Sequence, residues 1–302
     1  MAPNWNDMKT FLAVARVETL SGAGALLRAD PATVGRRIAR LESSLGYVLF
    51  TKSPQGYVLT AEGQQLLPHA AKLELTMREA DEALRGKAHE LTGQIRLGAP
   101  DGSANFLLPQ VCANIAANNP GLEIQIVALP RIFNLSKREA DMALSVSRPD
   151  ARRLVVQKVT DYNLHLAAAD SYLAQRPKIE TLEDLRDHRI IGYIPEMIFD
   201  KELDYLSGSA FERAALASNS VSVQLQFIRQ GGGVGVVHDF ALPAVEGVSK
   251  LLTEAFSLTR SFYLIRHEDD QGVARLTRFA ELLTRGLREE VARLEAQTVA
   301  SA

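Results

Sequence analysis

The sequence predicts an α+β multidomain chain: an N-terminal winged helix-turn-helix, a long linker helix and a C-terminal region of two α/β lobes. Three observations predict it. Three short helical stripes and two β-prone runs fill the first sixty residues; a narrow heptad stripe follows them; beyond residue 91, strands alternate with helices. The boundaries are 1–60, 61–91 and 92–302, with lobe I formed by about 92–160 and 266–302 and lobe II by about 161–265. A length of 302 residues, 46% apolar and 23% charged, has room for such an arrangement and no composition of disorder.

In the head, Trp5, Met8, Phe11, Leu12 and Ala15 recur at helical spacing and give helix one. Ser21 is placed to cap a short second helix over 22–27. Asp30-Pro31 starts the third, with Asp as cap and Pro at the first helical position. Its buried stripe is Val34, Ile38, Leu41 and Leu45, and Gly46 stops it. Arg36, Arg37 and Arg40 lie off that stripe. Ala32, Thr33 and Gly35 keep its N-terminal end small enough to approach base edges, and arginine can bind phosphate or guanine. Residues 47–50 and 57–60 flank a Lys52-to-Gly56 turn as a hairpin, a wing with Lys52 set to reach phosphate. The alternative reading is an ordinary three-helix bundle with solvated arginines. Charge leans towards nucleic acid: residues 1–60 carry seven Lys/Arg against four Asp/Glu, although the whole chain is at −2.

Thr60 caps the linker helix. Leu66, Ala70, Leu73, Met77, Ala80, Leu84 and Leu91 form its seam, which suits pairing with a second copy, and Pro68 should kink it. In the C-terminal region, strands are expected over 94–99, 122–128, 141–146, 163–169, 189–194, 233–237 and 262–265. Helices are expected over 104–118, 135–139, 220–230 and 271–294. This alternation implies parallel sheets.

The head resembles the DNA-binding domain of LysR-type regulators. The residues that carry the resemblance are 11–15, Thr19-Leu20-Ser21 with Ala23, 32–38 with Leu41-Glu42, Leu45-Gly46, Leu49-Phe50 and 59–63. A looser match continues through Gly93, 119–121 with Glu123, 139–141, Ala143-Leu144 and the Gly231-to-Gly235 run. It implies a two-lobed, periplasmic-binding-protein-like (type II) effector domain. Three positions depart from the family pattern. Gly24 stands where Ala is usual, which should weaken helix two by up to about 1 kcal/mol. Gly35 stands where a DNA-facing Ser is common. Lys52 stands where Arg is common, so the charge stays and the bidentate fork is lost.

The resemblance implies that Ala32, Thr33, Arg36 and Arg37 face the groove; Ser21, Arg40 and Lys52 complete the candidate DNA-binding set. The expected partners are double-stranded DNA carrying an interrupted palindrome, a second copy of the chain (a dimer, or a tetramer) and a small-molecule effector. Ligands of open α/β sheets bind beyond the carboxyl ends of the strands, and helix N-termini there favour anions. The candidate effector residues are therefore Asp101, Ser103, Pro130, Tyr193, Asn219, Ser220 and His238, each of which could equally be a cap, turn or core residue. Asp101 speaks against a simple carboxylate ligand.

No G-x-S-x-G elbow or Walker loop occurs, the glycine run precedes its strand, and the six histidines have no metal-ligand spacing. No enzyme activity, cofactor or metal is expected. A lone Cys112 on the stripe of the helix over 104–118, and no basic-then-apolar leader in residues 1–7, suit a cytoplasmic protein. Two readings remain beside the regulator with an effector: a regulator without one, and a solute-binding α/β protein with a helical appendage.

Overall fold

The computed structural model describes residues 4–53, 56–84, 91–128, 140–150, 153–205, 214–270 and 272–300, in two compact units. The first unit opens with α1 (Trp5–Val17), capped by Asn4. In α2 (Leu20–Leu27) the cap is Thr19, whose Oγ1 accepts from Gly22 N at 3.1 Å; Ser21, expected as the cap, lies inside the helix. Glu18 takes a left-handed turn with φ 57°, so the chain re-enters helical geometry two residues earlier than local pattern suggests. α3 (Pro31–Leu45) starts on Asp30 and ends on a left-handed Gly46 with φ 77°, as expected. Val34, Ile38 and Leu41 pack with Phe11, Leu12 and Val14 in one core.

The hairpin is β1 (Phe50–Ser53) and β2 (Gly56–Leu59), antiparallel, with Lys52 opposite Tyr57. Its first strand begins at Phe50 because the backbone N–H groups of Leu49 and Phe50 both donate to the Glu42 carboxylate, at 2.7 and 3.3 Å. Tyr47 and Val48 are left exposed. α4 (Ala61–Leu84) follows, capped by Thr60 and running through Pro68. Leu91 is not part of it: this residue is non-helical and buried in the second unit, where its apolar surface is covered.

Gly24 has a steric reason. A Cβ there would lie 2.5 Å from the Ala29 carbonyl oxygen, and Ala29 N donates to the Gly24 carbonyl at 2.9 Å. The α2–α3 turn thus closes directly on this glycine. Alanine offers about 1 kcal/mol of helix propensity, but overpacking against backbone costs about 1–3 kcal/mol. Gly24→Ala is expected to lose about 1 kcal/mol net in urea denaturation; a gain in midpoint would show that the turn relaxes freely.

The second unit runs β3 (Gly93–Ala99), α5 (Asp101–Phe106), α6 (Leu108–Ala117), β4 (Leu122–Ala128), β5 (Met142–Ser145), β6 (Leu154–Ala169) and α7 (Asp170–Leu173). Then come β7 (Ile190–Gly192), β8 (Leu216–Ala217), α8 (Val221–Arg229), β9 (Val234–His238), β10 (Val248–Leu251), β11 (Leu258–His267) and α9 (Ala274–Ala300). The single helix expected over 104–118 is two, broken at Leu107. Pro109 has no N–H to donate and sits in the first turn of α6. The helix expected over 135–139 lies outside the described residues.

The sheet order is β4-β3-β5-β11-β6-β9-β7-β8, with β10 also on β6. Within each lobe the expected parallel pairing occurs: β3 with β4 and β5, β7 with β8 and β9. Two antiparallel strands, β6 and β11, join the lobes. Their register shifts between Phe262 and Tyr263, which leaves Val159 as the additional residue of β6. Its carbonyl accepts instead from Arg288 Nε of α9 at 2.7 Å. The sheet changes lobe at this bulge. Tyr162, Phe240 and Phe262 form the aromatic core just beyond it, with Tyr162 and Phe262 stacked at 4.2 Å.

Candidate nucleic-acid interface and effector cleft

Asp30 does more than cap α3. Its Oδ1 accepts from Thr33 N (2.8 Å) and its Oδ2 from Thr33 Oγ1 (2.5 Å), while Arg36 Nη2 donates to the same Thr33 hydroxyl at 2.6 Å. The Thr33 bonds, helped by the Arg36 charge, hold the Asp30 carboxyl below its ordinary range. Arg36 is exposed and lies along the first two turns of α3; Ala32 is exposed and Arg37 half-buried beside it. Ser21 is exposed on α2, and Lys52 Nζ sits 5.9 Å from the Tyr57 ring centroid on the wing.

Arg40 is differently engaged. Its guanidinium forks onto Asp7 of α1, with Nε donating to Oδ2 at 2.7 Å and Nη2 to Oδ1. The Asp7 side chain is only 3% exposed. Arg40 therefore neutralises a buried carboxylate and fastens α1 to α3. Sequence reading put Arg40 in the wider DNA-binding set because spacing shows only that it is off the apolar stripe. Arg16 similarly pairs with Glu74, 2.5 Å apart, joining α1 to α4.

In the second unit, Asp101, Ser103, Tyr193, Asn219 and His238 come together around one void of about 20 Å³ between the lobes. Ser220 is beside them and caps α8, its Oγ accepting from Val223 N at 3.3 Å. Pro130 lies outside the described residues. The lobes are bonded across this cleft. Asp101 Oδ2 accepts from Ser220 Oγ (3.0 Å), Ser222 N (2.9 Å) and Ser222 Oγ (3.0 Å), all at the N-terminus of α8. Ser147, after β5, donates from Oγ to Asp200 of lobe II. Ser103 is buried, and its hydroxyl donates to the Pro100 carbonyl at 3.0 Å.

His238 stacks on Tyr162 and meets the Tyr205 hydroxyl at 3.4 Å through Nε2. Burial pushes its imidazole down to about 4. An unfolded imidazole titrates near about 6.5, so between these values the unfolded chain binds a proton that the folded chain refuses. The stability His238 contributes is present above about pH 6.5 and is lost as pH falls towards 4. Urea midpoints at pH 7 and pH 5 should show the drop, and His238→Gln should flatten it; equal slopes in both proteins would remove His238 as the cause.

A larger chamber of about 470 Å³ lies on the lobe II side, lined by residues of β7, the segment after it, α8 and β9. Tyr193 and Leu203 line both spaces. Sequence reading missed Ser222, Tyr205 and Gln224, since nothing local marks them as neighbours of Asp101 or Tyr193.

Residues 5–64 match the family of bacterial regulatory helix-turn-helix proteins, lysR family, and residues 88–288 match the LysR substrate binding domain. The chain belongs to the LysR-type transcriptional regulators. This regulator is 25% identical to the transcriptional activator TtdR of Escherichia coli over 244 residues, 77% of this chain and 76% of that one. Its fold is that of a full-length OxyR variant from Pseudomonas aeruginosa (TM-score 0.72, 15% identity, 95% of each chain covered). LysG of Corynebacterium glutamicum, solved with bound effector Arg, superposes at a TM-score of 0.62 with 20% identity, covering 95% of this chain and 98% of that one. At these identities the two structures speak for the fold alone.

Among the described residues of the regulator, no three His, Cys, Asp or Glu side chains are grouped to hold a metal, and no helix is long and apolar enough to cross a membrane. Cys112 is buried in α6, and burial pushes its thiol up to about 12, so the nucleophilic thiolate does not form near neutrality.

Proposed function

We propose that this LysR-type regulator grips an interrupted palindrome in duplex DNA as a dimer or tetramer, and that a small molecule held by the two-lobed domain biases the spacing of the heads. The observation that carries the DNA reading is the exposed N-terminal half of α3, where Arg36 is held out on a pre-ordered Asp30–Thr33 cap. Guanidinium presented there can bond phosphate or a guanine edge in the major groove. Lys52 on the wing adds a second cation.

Pairing is supported by α4. Leu73 is 45% exposed and Met77 51% exposed, with Ala80 exposed one step further along the same seam. An apolar stripe at alternating four and three spacing suits a twin helix, and two-fold heads suit a palindrome. The effector reading is supported by the family match over residues 88–288 and by the convergence of Asp101, Tyr193, Asn219 and His238 on one cleft. A ligand of this domain shifts the heads only through its differential affinity for two arrangements.

Footprinting of the full chain on the DNA flanking its own gene tests this. Two protected half-sites, spaced by about one helical turn or a multiple of it, are expected. Uniform cleavage at about 50 mM salt, where backbone attraction is strong, would overturn the reading.

A further inference from the structure

We infer that the lobe II chamber is the seat of the small molecule and that it takes a compact apolar amine, because the carboxylate seat of the cleft is filled by the chain's own Asp101. This rests on the reading that the domain binds an effector, and it names the chemistry of that effector.

The first argument concerns the anion seat. A helix N-terminus flanked by hydroxyls is where a ligand carboxylate gains most. At α8 those donors, Ser220 Oγ, Ser222 N and Ser222 Oγ, converge on one Asp101 oxygen from the opposite lobe, each within 3.0 Å. A ligand carboxylate could take this place only by displacing Asp101, and would then be repelled by it. The void alongside, about 20 Å³, has room for no more than a water.

The second argument concerns the chamber. Its volume, about 470 Å³, is within the ordinary range for small-molecule sites. Ile191, Ile198, Leu203 and Val236 supply apolar wall. Its polar groups are Tyr193, Tyr205, Gln224 and Asp204, and among the described residues no Lys, Arg or His lines it. Arg260, whose charge reaches Tyr205, is committed to the Glu202 carboxylate at 2.9 Å and to the Glu202 carbonyl at 3.1 Å. Burial keeps both tyrosine hydroxyls protonated. Asp204 is exposed at the wall. A carboxylate entering would lose its hydration and meet no cation among the described residues. An ammonium keeps its head at Asp204 while its apolar body enters the chamber.

The test uses the full-length protein and three probes of one shape: 2-phenylethylamine, 2-phenylethanol and phenylacetate, read by calorimetry and thermal shift. The amine is expected to bind at least about tenfold more tightly than phenylacetate, one decade being about 1.4 kcal/mol. Asp204→Asn, at an exposed position, should remove most of that preference and leave the alcohol unchanged. Ile198→Trp, which fills the chamber from a half-buried wall, should abolish binding of amine and alcohol together. Tightest binding by phenylacetate, amine binding unaffected by Ile198→Trp, or no binding of the amine at 10 mM (about the weak end for a fragment) would each overturn the assignment. Footprinting of the same preparation separates the two claims: loss of DNA protection sinks the regulator reading and leaves the chamber result standing.

Discussion

Arg36→Ala is expected to weaken operator binding by about ten- to a hundredfold while the thermal midpoint stays within about 2 °C, because a groove or phosphate contact is worth about 1–3 kcal/mol and the side chain carries little of the fold. Arg36 is exposed, and its recorded bond is to the Thr33 hydroxyl. Removing it leaves Thr33 N and Oγ1 on Asp30, so the cap of α3 persists. Arg40 supplies the contrast. It lies four residues further along the same helix, yet its fork neutralises buried Asp7. Arg40→Ala should therefore act first on stability, since the buried Asp7 carboxylate is left without its counter-charge, although the exposed guanidinium keeps part of the pair in water. Gel shifts at several salt concentrations, with melting curves on the same samples, distinguish the two. If Arg36 reaches phosphate, its loss also lowers the salt slope by about one. Unchanged affinity would take Arg36 out of the interface.

This contrast shows what a single sequence makes legible. Helical spacing told that Arg36, Arg37 and Arg40 avoid the core stripe, and the structure agrees. It could not tell a solvated arginine from one paired with Asp7, because that partner lies 33 positions away on another helix. Asp30, Pro31 and Gly46 were legible because caps act within one turn. The Thr19 cap was not, since Thr19 and Ser21 are both suitable and the left-handed Glu18 between the helices carries no sequence mark. In the second unit, β6 is 16 residues long where only its second half was expected. Its first half holds Gln157, Lys158 and Asp161, polar residues that break an apolar run but are tolerated where the strand crosses between lobes. Leu91 fitted the heptad spacing of α4 and was assigned to it; burial elsewhere was available to it, and tertiary packing overrode the pattern. Five of the seven candidate effector residues meet around one void because the rule of strand carboxyl ends is topological. The bonds that close that void join residues 119 and 121 positions apart, which no local pattern encodes.

Those bonds set the other large effect. Asp101→Ala is expected to destabilise the second unit by about 2–3 kcal/mol, since three hydrogen bonds to one charged acceptor are lost and each bond to a charged group is worth about 1.5–3 kcal/mol before water replaces it. For a unit of about 200 residues this lowers the midpoint by roughly 5–10 °C. A general defect in folding predicts the same fall, so the decisive measurement is rescue. Alanine leaves Ser220 Oγ, Ser222 N and Ser222 Oγ facing a space the size of a carboxylate at the N-terminus of α8. Formate or acetate at tens of millimolar should return part of the lost midpoint in Asp101→Ala and do nothing for the parent, where the seat is full; a ligand well above its dissociation constant stabilises by mass action. Chloride at equal ionic strength controls for screening. Asp101→Asn, which keeps an acceptor oxygen but no charge, should fall between the two and respond less to formate. Rescue equal in all three proteins, or a midpoint indifferent to Asp101→Ala, would mean that the serines at α8 do not hold a carboxylate in solution, and the reason for excluding anionic ligands from this cleft would go with it.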